Sequence, residues 1–570
     1  RIMTYSHVHK PAAIDLHVHS NRSDGTYSPR QLVDYAMEKG LRAFALTDHD
    51  TVDGLDEAVR YAHSLKDNPS VPEVIPGIEL STQYQGQDIH IVGLYIDYKN
   101  PEFLHWLKRF TESRTLRNHK MCALLKEADV EISYDELLKE FPDAVITRAH
   151  YAKYLLRRGY VKSIKEAFDR YVGDHCPCFV PREKVTPEEA VELILKADGI
   201  PVLAHPALYH MSDSRMEELI SLLKEKGLMG IEAVYSTYHA GEERFFRTLA
   251  RKYHLLVSGG SDFHGPNKPG LDLGTGYGRL FVSEELLTLI RQSRKNLLFT
   301  DLDGTLLLKD STVSDAMKQA LERMTQAGHR LILTSGRPLP SILEVCGRIG
   351  LTENRPSPFP NMMIIANNGA LIYDCSLQAP ILEHRIAPED IAFLEEKARQ
   401  AGLHMHGYSE SEIICTLEKE NAELQFYRQR IHMPVKYVPN LATALPHGSY
   451  KLQVIHLTDH EALEQFRSSL LSCCEGRLQF IFSNDKYLEI LPASAGKGNA
   501  LRFVTDYLPA PRSHTFAAGD AENDISMLQA AHVGIAMRNA SLEVKKAARL
   551  ITRADNDHDG LLEVLNQYFV

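Results

Sequence analysis

The chain has 570 residues, 44% of them hydrophobic and 24% charged, and a formal net charge of −11. That length exceeds a single hydrophobic core, and roughly 150 residues per domain predicts three to four domains or subdomains of a soluble protein. No apolar run approaches the ~20 residues of a membrane span, and the acidic balance argues against tight sequence-independent binding to a nucleic-acid backbone, which draws on clustered Lys and Arg. A short, locally guided oligonucleotide end remains compatible with that charge. Arg1 to Pro11 holds no apolar stretch followed by a cleavage site, so no export signal is expected there. Of the eight cysteines, Cys176/Cys178 and Cys473/Cys474 are close but form no CxxC unit, which points to reduced thiols in a cytoplasm.

In chain order, short β-branched runs alternate with amphipathic stretches: Ala13 to Ser20, Ala43 to Thr47, Val74 to Leu80, Ile89 to Ile96, Pro201 to Ala204, Gly230 to Tyr235 and Leu255 to Ser258. Such alternation predicts an α/β fold with a mostly parallel sheet or barrel. Thr111 to Gly173 is helical and charged, and reads as an inserted helical subdomain. Leu280-Phe281-Val282, a helical run Glu284 to Ser293 and the apolar strand Leu297 to Thr300 follow. They put a domain boundary at Arg294 to Asn296, with a first domain over 1–294 and a second over 295–570. The second repeats the βα rhythm at Arg330 to Thr334, Met362 to Ala366, Thr515 to Ala518 and Val533 to Ala536. About Ile386 to Leu491 has its own β/α pattern, which suits a cap inserted into a doubly wound core.

Side chains two apart on a strand share a face, so Asp15, His17 and His19 point one way and Ile14, Leu16 and Val18 the other. Asp262 and His264 repeat that offset after Leu255 to Gly260, and His49 closes the strand Ala43 to Thr47. The candidate ligands are His17, His19, Asp24, His49, Glu79, His90, His205, Asp262 and His264. Imidazoles and carboxylates without thiolates favour Mn, Fe, Zn or Mg over a structural zinc knot. Nine groups exceed one ion's needs and suit two or three, with Glu79 as a bridge. Clustered cations lower the pKa of a shared water and hold phosphoryl oxygens, the chemistry of metal-assisted phosphoester hydrolysis. Ser6-His7-Val8-His9 has the same HxH spacing but precedes any strand and reads as tail; Cys176 and Cys178 read as packing residues.

At these positions the chain resembles the PHP (polymerase and histidinol phosphatase) family, through Asp15-Leu16-His17-Val18-His19-Ser20 with Asp24-Gly25, Thr47-Asp48-His49-Asp50, Pro76-Gly77-Ile78-Glu79, His90, Val202-Leu203-Ala204-His205-Pro206 and Gly260-Ser261-Asp262-Phe263-His264. The resemblance implies a distorted (β/α)7 barrel with ligands at the C-terminal strand ends. It is nearest to bacterial phosphoesterases that dephosphorylate nucleoside monophosphates or 3′,5′-bisphosphates and trim RNA from its 5′ end. It also implies substrate phosphate contacts at Arg148 and His150, with Arg114, Arg117 and His239 as further contacts, since Arg offers phosphate a planar fork. A solvated helix face is the competing reading of Arg114 and Arg117.

Leu297 to Thr300 is fully apolar, as in the buried centre of a parallel sheet, and delivers Asp301 and Asp303 to one side of its end. One carboxylate is placed to attack a phosphoryl group while the other moves protons, and a divalent cation and a Lys must offset the charge. Thr334-Ser335-Gly336-Arg337, Asn367-Asn368-Gly369-Ala370, Lys497 after Gly496, and Gly519-Asp520-Ala521-Glu522-Asn523-Asp524 follow in order. This half resembles the haloacid dehalogenase (HAD) superfamily, specifically Cof-type phosphatases with a Rossmann-like core and an α/β cap. The resemblance implies Asp301 as nucleophile, Asp303 as general acid/base, Thr334 and Lys497 as phosphate holders, and Asn368 as a substrate contact. It implies Mg held by Asp301 and Asp520, with Asp303, Asn523 and Asp524 as additional magnesium contacts. Asp555, Asp557 and Asp559 read as a polar loop, because the twelfth position of an EF-hand is Asn566 rather than Glu. Tyr408, His404 and His406 are cap candidates for a pocket lining, with ordinary packing the simpler reading.

The expectation is a cytoplasmic bifunctional phosphohydrolase acting on nucleotides or phosphorylated small molecules, and on short oligonucleotides, with no membrane partner. Two alternatives stand beside it: a histidinol-phosphate or sugar-phosphate phosphatase in the first domain, or a catalytically silent regulatory module in one of the two.

Overall fold

The structure is a computed structural model that describes residues 13–181, 185–351, 362–416 and 421–570; His7 and His9 lie outside them. The chain divides into two compact units, Arg1–Ser293 and Arg294–Val570. No helix among the described residues is long and apolar enough to cross a membrane.

The first unit is built on β1 (Ala13–Val18), β2 (Ala43–Leu46), β3 (Glu73–Tyr84), β4 (Gln87–Leu94), β5 (Ile200–Leu203), β6 (Gly230–Tyr235), β7 (Leu256–Gly260) and β8 (Val282–Ser283). They form one sheet in the order β7-β6-β5-β4-β3-β2-β1-β8. The chain just past β7 returns to β1, where Asp262 N donates to His17 O and His19 N to Phe263 O, each at 2.9 Å. The sheet therefore nearly closes into a barrel. Alternation along β2 supplies its two layers: Ala43 and Ala45 pack with Ile14 and Leu16 in one cluster, and Phe44 and Leu46 in another with the surrounding helices. Val18, expected on the face of Ile14 and Leu16, joins the second cluster because the register of β1 shifts between Asp15 and Val18.

Two features depart from the expected pattern. β4 runs antiparallel to both β3 and β5, because Gln85 and Gly86, at φ 50° and 80°, make the tight hairpin turn that such angles favour. The helical insertion also starts earlier than 111. Asn100 caps and Pro101 opens a helix that runs to Glu127. With the helices Tyr134–Glu140 and Arg148–Arg157 and a π-turn at Phe168–Val172, it encloses a separate core around Met121, Leu125, Tyr151, Tyr154 and Leu155. Cys178 is buried there, and the Cys176 thiol donates to Phe168 O.

The second unit contains β9 (Leu297–Thr300), β10 (Arg330–Thr334), β11 (Met363–Ala366), β12 (Leu371–Asp374) and β13 (Ala379–Glu383). After them come β14 (His404–Tyr408), β15 (Ile413–Cys415), β16 (Val435–Tyr437), β17 (Leu452–Ile455), β18 (Leu478–Asn484) and β19 (Tyr487–Pro492), then β20 (Thr515–Gly519), β21 (Val533–Ala536) and β22 (Leu550–Ile551). The core sheet has the order β13-β12-β11-β10-β9-β20-β21-β22, and β14 to β19 form a separate six-stranded cap sheet. β9 lies centrally, parallel to β10 and β20, and every residue of it is buried. An apolar central strand thus sets its following acid at the C-terminal edge of the sheet, where open α/β folds bind ligands.

Two candidate active sites

In the first unit, Glu79 on β3 is the centre of the ligand set. Its Oε2 lies 3.1 Å from Nε2 of both His17 and His19 and 3.3 Å from His49 Nδ1, while Oε1 lies 2.8 Å from His90 Nδ1 and 3.0 Å from His205 Nε2. Asp262 Oδ1 is 3.2 Å from His19 Nε2, and Asp24 Oδ1 is 3.0 Å from His264 Nε2. Three groups have ligand atoms all within 4.8 Å of one another: His17, His19, Glu79 and Asp262; His19, Asp24, His49 and His264; and His49, Glu79 and His90. All nine sequence candidates converge, and all but the partly exposed His90 are buried.

The donor chemistry of this centre fits divalent cations. His17 Nδ1 donates to Glu232 Oε1 at 2.7 Å, and His264 Nδ1 to the Asp262 carbonyl at 2.8 Å. Each ring then has a bare Nε2 lone pair aimed at carboxylate oxygens, an arrangement that repels unless a cation or proton lies between. Burial opposes charge on His17, yet Glu232, Glu79 and Asp262 outweigh it and hold its pKa well above the usual histidine value. Burial likewise opposes ionisation of Glu79, and His17, His49 and His90 overcome it, holding its pKa well below the carboxylate range. Asp262 and His205 have φ of 57° and 29°. Glu232 Oε2, which accepts from His205 N at 2.7 Å, and the Asp262–His17 backbone bond hold these strained positions.

A cleft of about 290 Å³ opens over these groups, lined also by Arg114, Arg117, Arg148 and Lys268. Arg114 Nε donates to Asp50 Oδ2 at 2.7 Å, and Arg148 pairs with Asp88 at 2.9 Å and Asp174 at 2.8 Å while stacking on Phe179. Two substrate calls do not reach the cleft. His150 is buried at the third helical position of Arg148–Arg157, where Nδ1 accepts from Thr147 N at 2.9 Å. A histidine takes the capping-box role of Glu or Gln there. His239 is exposed and caps the helix Ala240–Lys252 through Nδ1.

Sequence reasoning counted Glu232 and Asp48 only as parts of the stretches Glu232-Ala233-Val234-Tyr235 and Thr47-Asp48-His49-Asp50, gave neither a role of its own, and passed over Lys268. Asp48 accepts from Ser20 N and from the hydroxyls of Ser20 and Ser23, fixing the loop that carries Asp24, and Lys268 pairs with Asp262 at 2.5 Å. The signal for Glu232 was a lone acid inside an apolar strand, a residue that is almost never buried unpaired.

In the second unit, Asp301, Lys497, Asp520 and Asp524 meet at the edge of the core sheet, and Thr334 ends the neighbouring strand β10. Lys497 Nζ is 2.9 Å from Asp301 Oδ1 and 2.6 Å from Asp524 Oδ1. Asp301, Asp520 and Asp524 offer oxygens within 4.8 Å of one another. Burial and repulsion from Asp524 push Asp301 well above the carboxylate range and Asp520 up to about 7; a bound divalent cation relieves that crowding, so the trio fits one. The Thr334 hydroxyl is buried with no hydrogen-bond partner among the described residues, as suits a donor facing a ligand. Gly304 has φ +77° and a Cβ there would lie 2.3 Å from Asp520 Oδ2, so only glycine fits this turn.

Asp303 and Asn523, expected among the magnesium contacts, lie outside the trio. The Arg337 guanidinium grips Asp303 with bonds of 2.7 and 2.6 Å; burial opposes ionisation, but Arg337 outweighs it and holds the carboxyl below its usual value. Asn523 Nδ2 donates to Asn368 Oδ1 at 2.9 Å, and Asn368 in turn donates to Glu489. Asn368 is buried in that network and does not line the cavity. In the polar loop, Asp557 pairs with Lys309 and Asp559 accepts from Ser314.

Two family models match: a PHP domain over residues 15–176 and a haloacid dehalogenase-like hydrolase over 298–565. The chain belongs to the PHP family through its first unit and to the haloacid dehalogenase-like hydrolases through its second, and it is a hydrolase of phosphate esters. It is 37% identical over 252 residues to a 5′-3′ exoribonuclease of Haemophilus influenzae, covering 44% of this chain and 90% of the relative. It is 34% identical over 265 residues to a 3′,5′-nucleoside bisphosphate phosphatase of Chromobacterium violaceum, covering 46% and 91%. A haloacid dehalogenase-like hydrolase structure from Bacteroides thetaiotaomicron is 27% identical, with 48% of this chain and all of that one covered at a TM-score of 0.42.

Proposed function

We propose that the first unit hydrolyses phosphate esters of nucleotides, namely nucleoside monophosphates or 3′,5′-bisphosphates, and trims short RNA from its 5′ end. It would use two or three divalent ions drawn from Mn, Zn, Fe and Mg, held by the nine ligands around Glu79. The observation that carries this reading is a carboxylate in contact with five imidazoles beneath a cleft that also holds three arginines. The ions, when bound, activate water and hold the scissile phosphoryl oxygens. Arg114, Arg117 and Arg148 would take a second phosphate or the next phosphodiester, a reading the names of the two relatives support.

In the second unit, Asp301 would attack phosphorus, the ester P–O bond would break, and Asp303, ionised beside Arg337 at rest, would relay a proton from solvent to the leaving oxygen. Asp303 would then take a proton from the water that cleaves the aspartyl phosphate. Thr334 and Lys497 would hold the phosphate, and Asp301, Asp520 and Asp524 would hold Mg. A cytoplasmic location is consistent with eight thiols that form no disulfide.

The Asp301→Asn chain isolates the first site. Offered 5′-phosphorylated oligoribonucleotides, a nucleoside 3′,5′-bisphosphate and histidinol phosphate, it should turn over the first two well ahead of the third. Preference for histidinol phosphate would instead establish the small-monoester alternative.

A further inference from the structure

A line of hydrogen bonds crosses the cap and ends at the second site. The Asn421 Oδ1 accepts from Leu424 N at 2.8 Å as a helix cap, which fixes the amide and turns its Nδ2 toward His404 Nδ1, 3.1 Å away. His404 Nε2 is 2.8 Å from His406 Nδ1, His406 Nε2 is 2.9 Å from the Tyr408 hydroxyl, and that hydroxyl is 2.5 Å from the hydroxyl of Tyr427. Each step has one consistent polarity once the first is set. Asn421 can only donate, so His404 carries its proton on Nε2 and donates to His406. His406 donates to Tyr408, and Tyr408 to Tyr427. Burial lowers the pKa of His404 to about 4 and that of His406 well below the usual histidine value, so both rings are neutral members of this relay at neutral pH.

The Tyr427 oxygen thus has its acceptor capacity used, and its own proton is left over. Tyr427 lines the cavity between Asp301 and the cap, as do Tyr487, Ser483 and Arg430. The Ser483 hydroxyl is buried without a hydrogen-bond partner among the described residues. The charged groups facing this cavity are otherwise matched: Asp301 with Lys497, Asp303 with Arg337, and Glu489 with Lys451. Arg430 is the cation left over, and it forms no ion pair among the described residues.

We propose that Tyr427 and Arg430 bind an oxyanion on the leaving group, so that the second site selects phosphate monoesters whose alcohol portion carries a carboxylate or a second phosphate. This rests on the reading of the second unit as an aspartate-nucleophile phosphatase. Tyr427 donates its hydroxyl proton to the anion and Arg430 supplies the opposite charge, while Asn421 and the two histidines act as positioning residues that fix the direction of that donor.

The test compares kcat/KM of the full chain with Mg for phosphoglycolate, fructose 1,6-bisphosphate and glycerol 1-phosphate, counting only turnover that the Asp301→Asn chain lacks. The first two probes separate carboxylate from phosphate recognition. The intact chain should favour at least one of them over glycerol 1-phosphate, and Tyr427→Phe and Arg430→Gln should each reduce that ratio about tenfold, chiefly through KM. Asn421→Asp, measured above pH 8, reverses the polarity of the relay and should reduce the same ratio from a position outside the cavity. A ratio near one in the intact chain, or unchanged ratios in the variants, overturns the proposal. Absence of any Asp301-dependent turnover refutes the phosphatase reading instead. The proposal is then decided by calorimetric affinity of the Asp301→Asn chain for the same three esters with Mg, where a loss confined to the anionic ones on Tyr427→Phe upholds it and equal affinities overturn it.

Discussion

Glu232 is not one of the nine candidate ligands, yet it holds two of them in place. It takes the Nδ1 proton of His17 and the backbone N–H of His205 on separate oxygens, so its loss frees a ring tautomer and a strained backbone together. Glu232→Ala should weaken metal retention by about 10–100-fold, read by titration with Mn against a competing chelator; retention equal to that of the native chain would contradict the role. His150 gives a prediction of a different kind. Burial lowers its pKa from the usual 6.5 to about 4, so between those values the unfolded chain binds a proton that the folded chain refuses. Stability from this group is complete above pH 6.5 and is lost as pH falls toward 4, by up to ~3 kcal/mol. His150→Gln keeps a capping acceptor for Thr147 and should flatten the fall in melting temperature across that window; an unaltered acid slope would show that another group is responsible.

At the scale of elements, the alternation of apolar runs and helices made nearly every strand that bears a ligand readable, because each strand end is marked by a polar residue where the apolar pattern stops. Direction was less readable than position. β4 carries apolar residues like the parallel strands of the sheet, and only the Gln85-Gly86 turn, a local signal of two residues, reverses it. His150 and His239, which the resemblance implied as phosphate contacts, instead occupy helix starts where a ring nitrogen substitutes for the usual capping oxygen. The fork between Arg337 and Asp303 was equally hidden, since it joins residues on separate strand ends and depends on side-chain direction. The turn after β9 carries a prediction at this scale. Gly304→Ala introduces a methyl group against the Asp520 carboxylate at a left-handed φ, which should cost about 1–3 kcal/mol. It should lower the melting temperature of the second unit and its apparent Mg affinity together, and a change in neither would mean that the turn yields freely.

Across the whole molecule, each unit has its own apolar cores and its own cluster of buried acids. Removal of cations should therefore act on two separate events. In scanning calorimetry, chelation should lower both transitions, Mn should restore chiefly the first and Mg chiefly the second, in line with binding to the folded state alone. A single transition that responds equally to either ion would argue for one cooperative body. The sequence made the two families legible because their acids and histidines are spread over ordered motifs, whereas the leaving-group cavity depends on Tyr427, Arg430 and Ser483, residues with no motif that meet only through the cap fold.

The near-closure of the first sheet has a consequence for how the protein matures. His17 belongs to the first described strand, while Asp262 and His264 follow the seventh, and the backbone bonds that join these segments also assemble the ligand set. During synthesis, the early histidines wait beside vacant places until the ribosome has released the stretch beyond His264. Cation binding at this ligand set should accordingly come late in biogenesis, and a product terminated before His264 should fail to retain the ions.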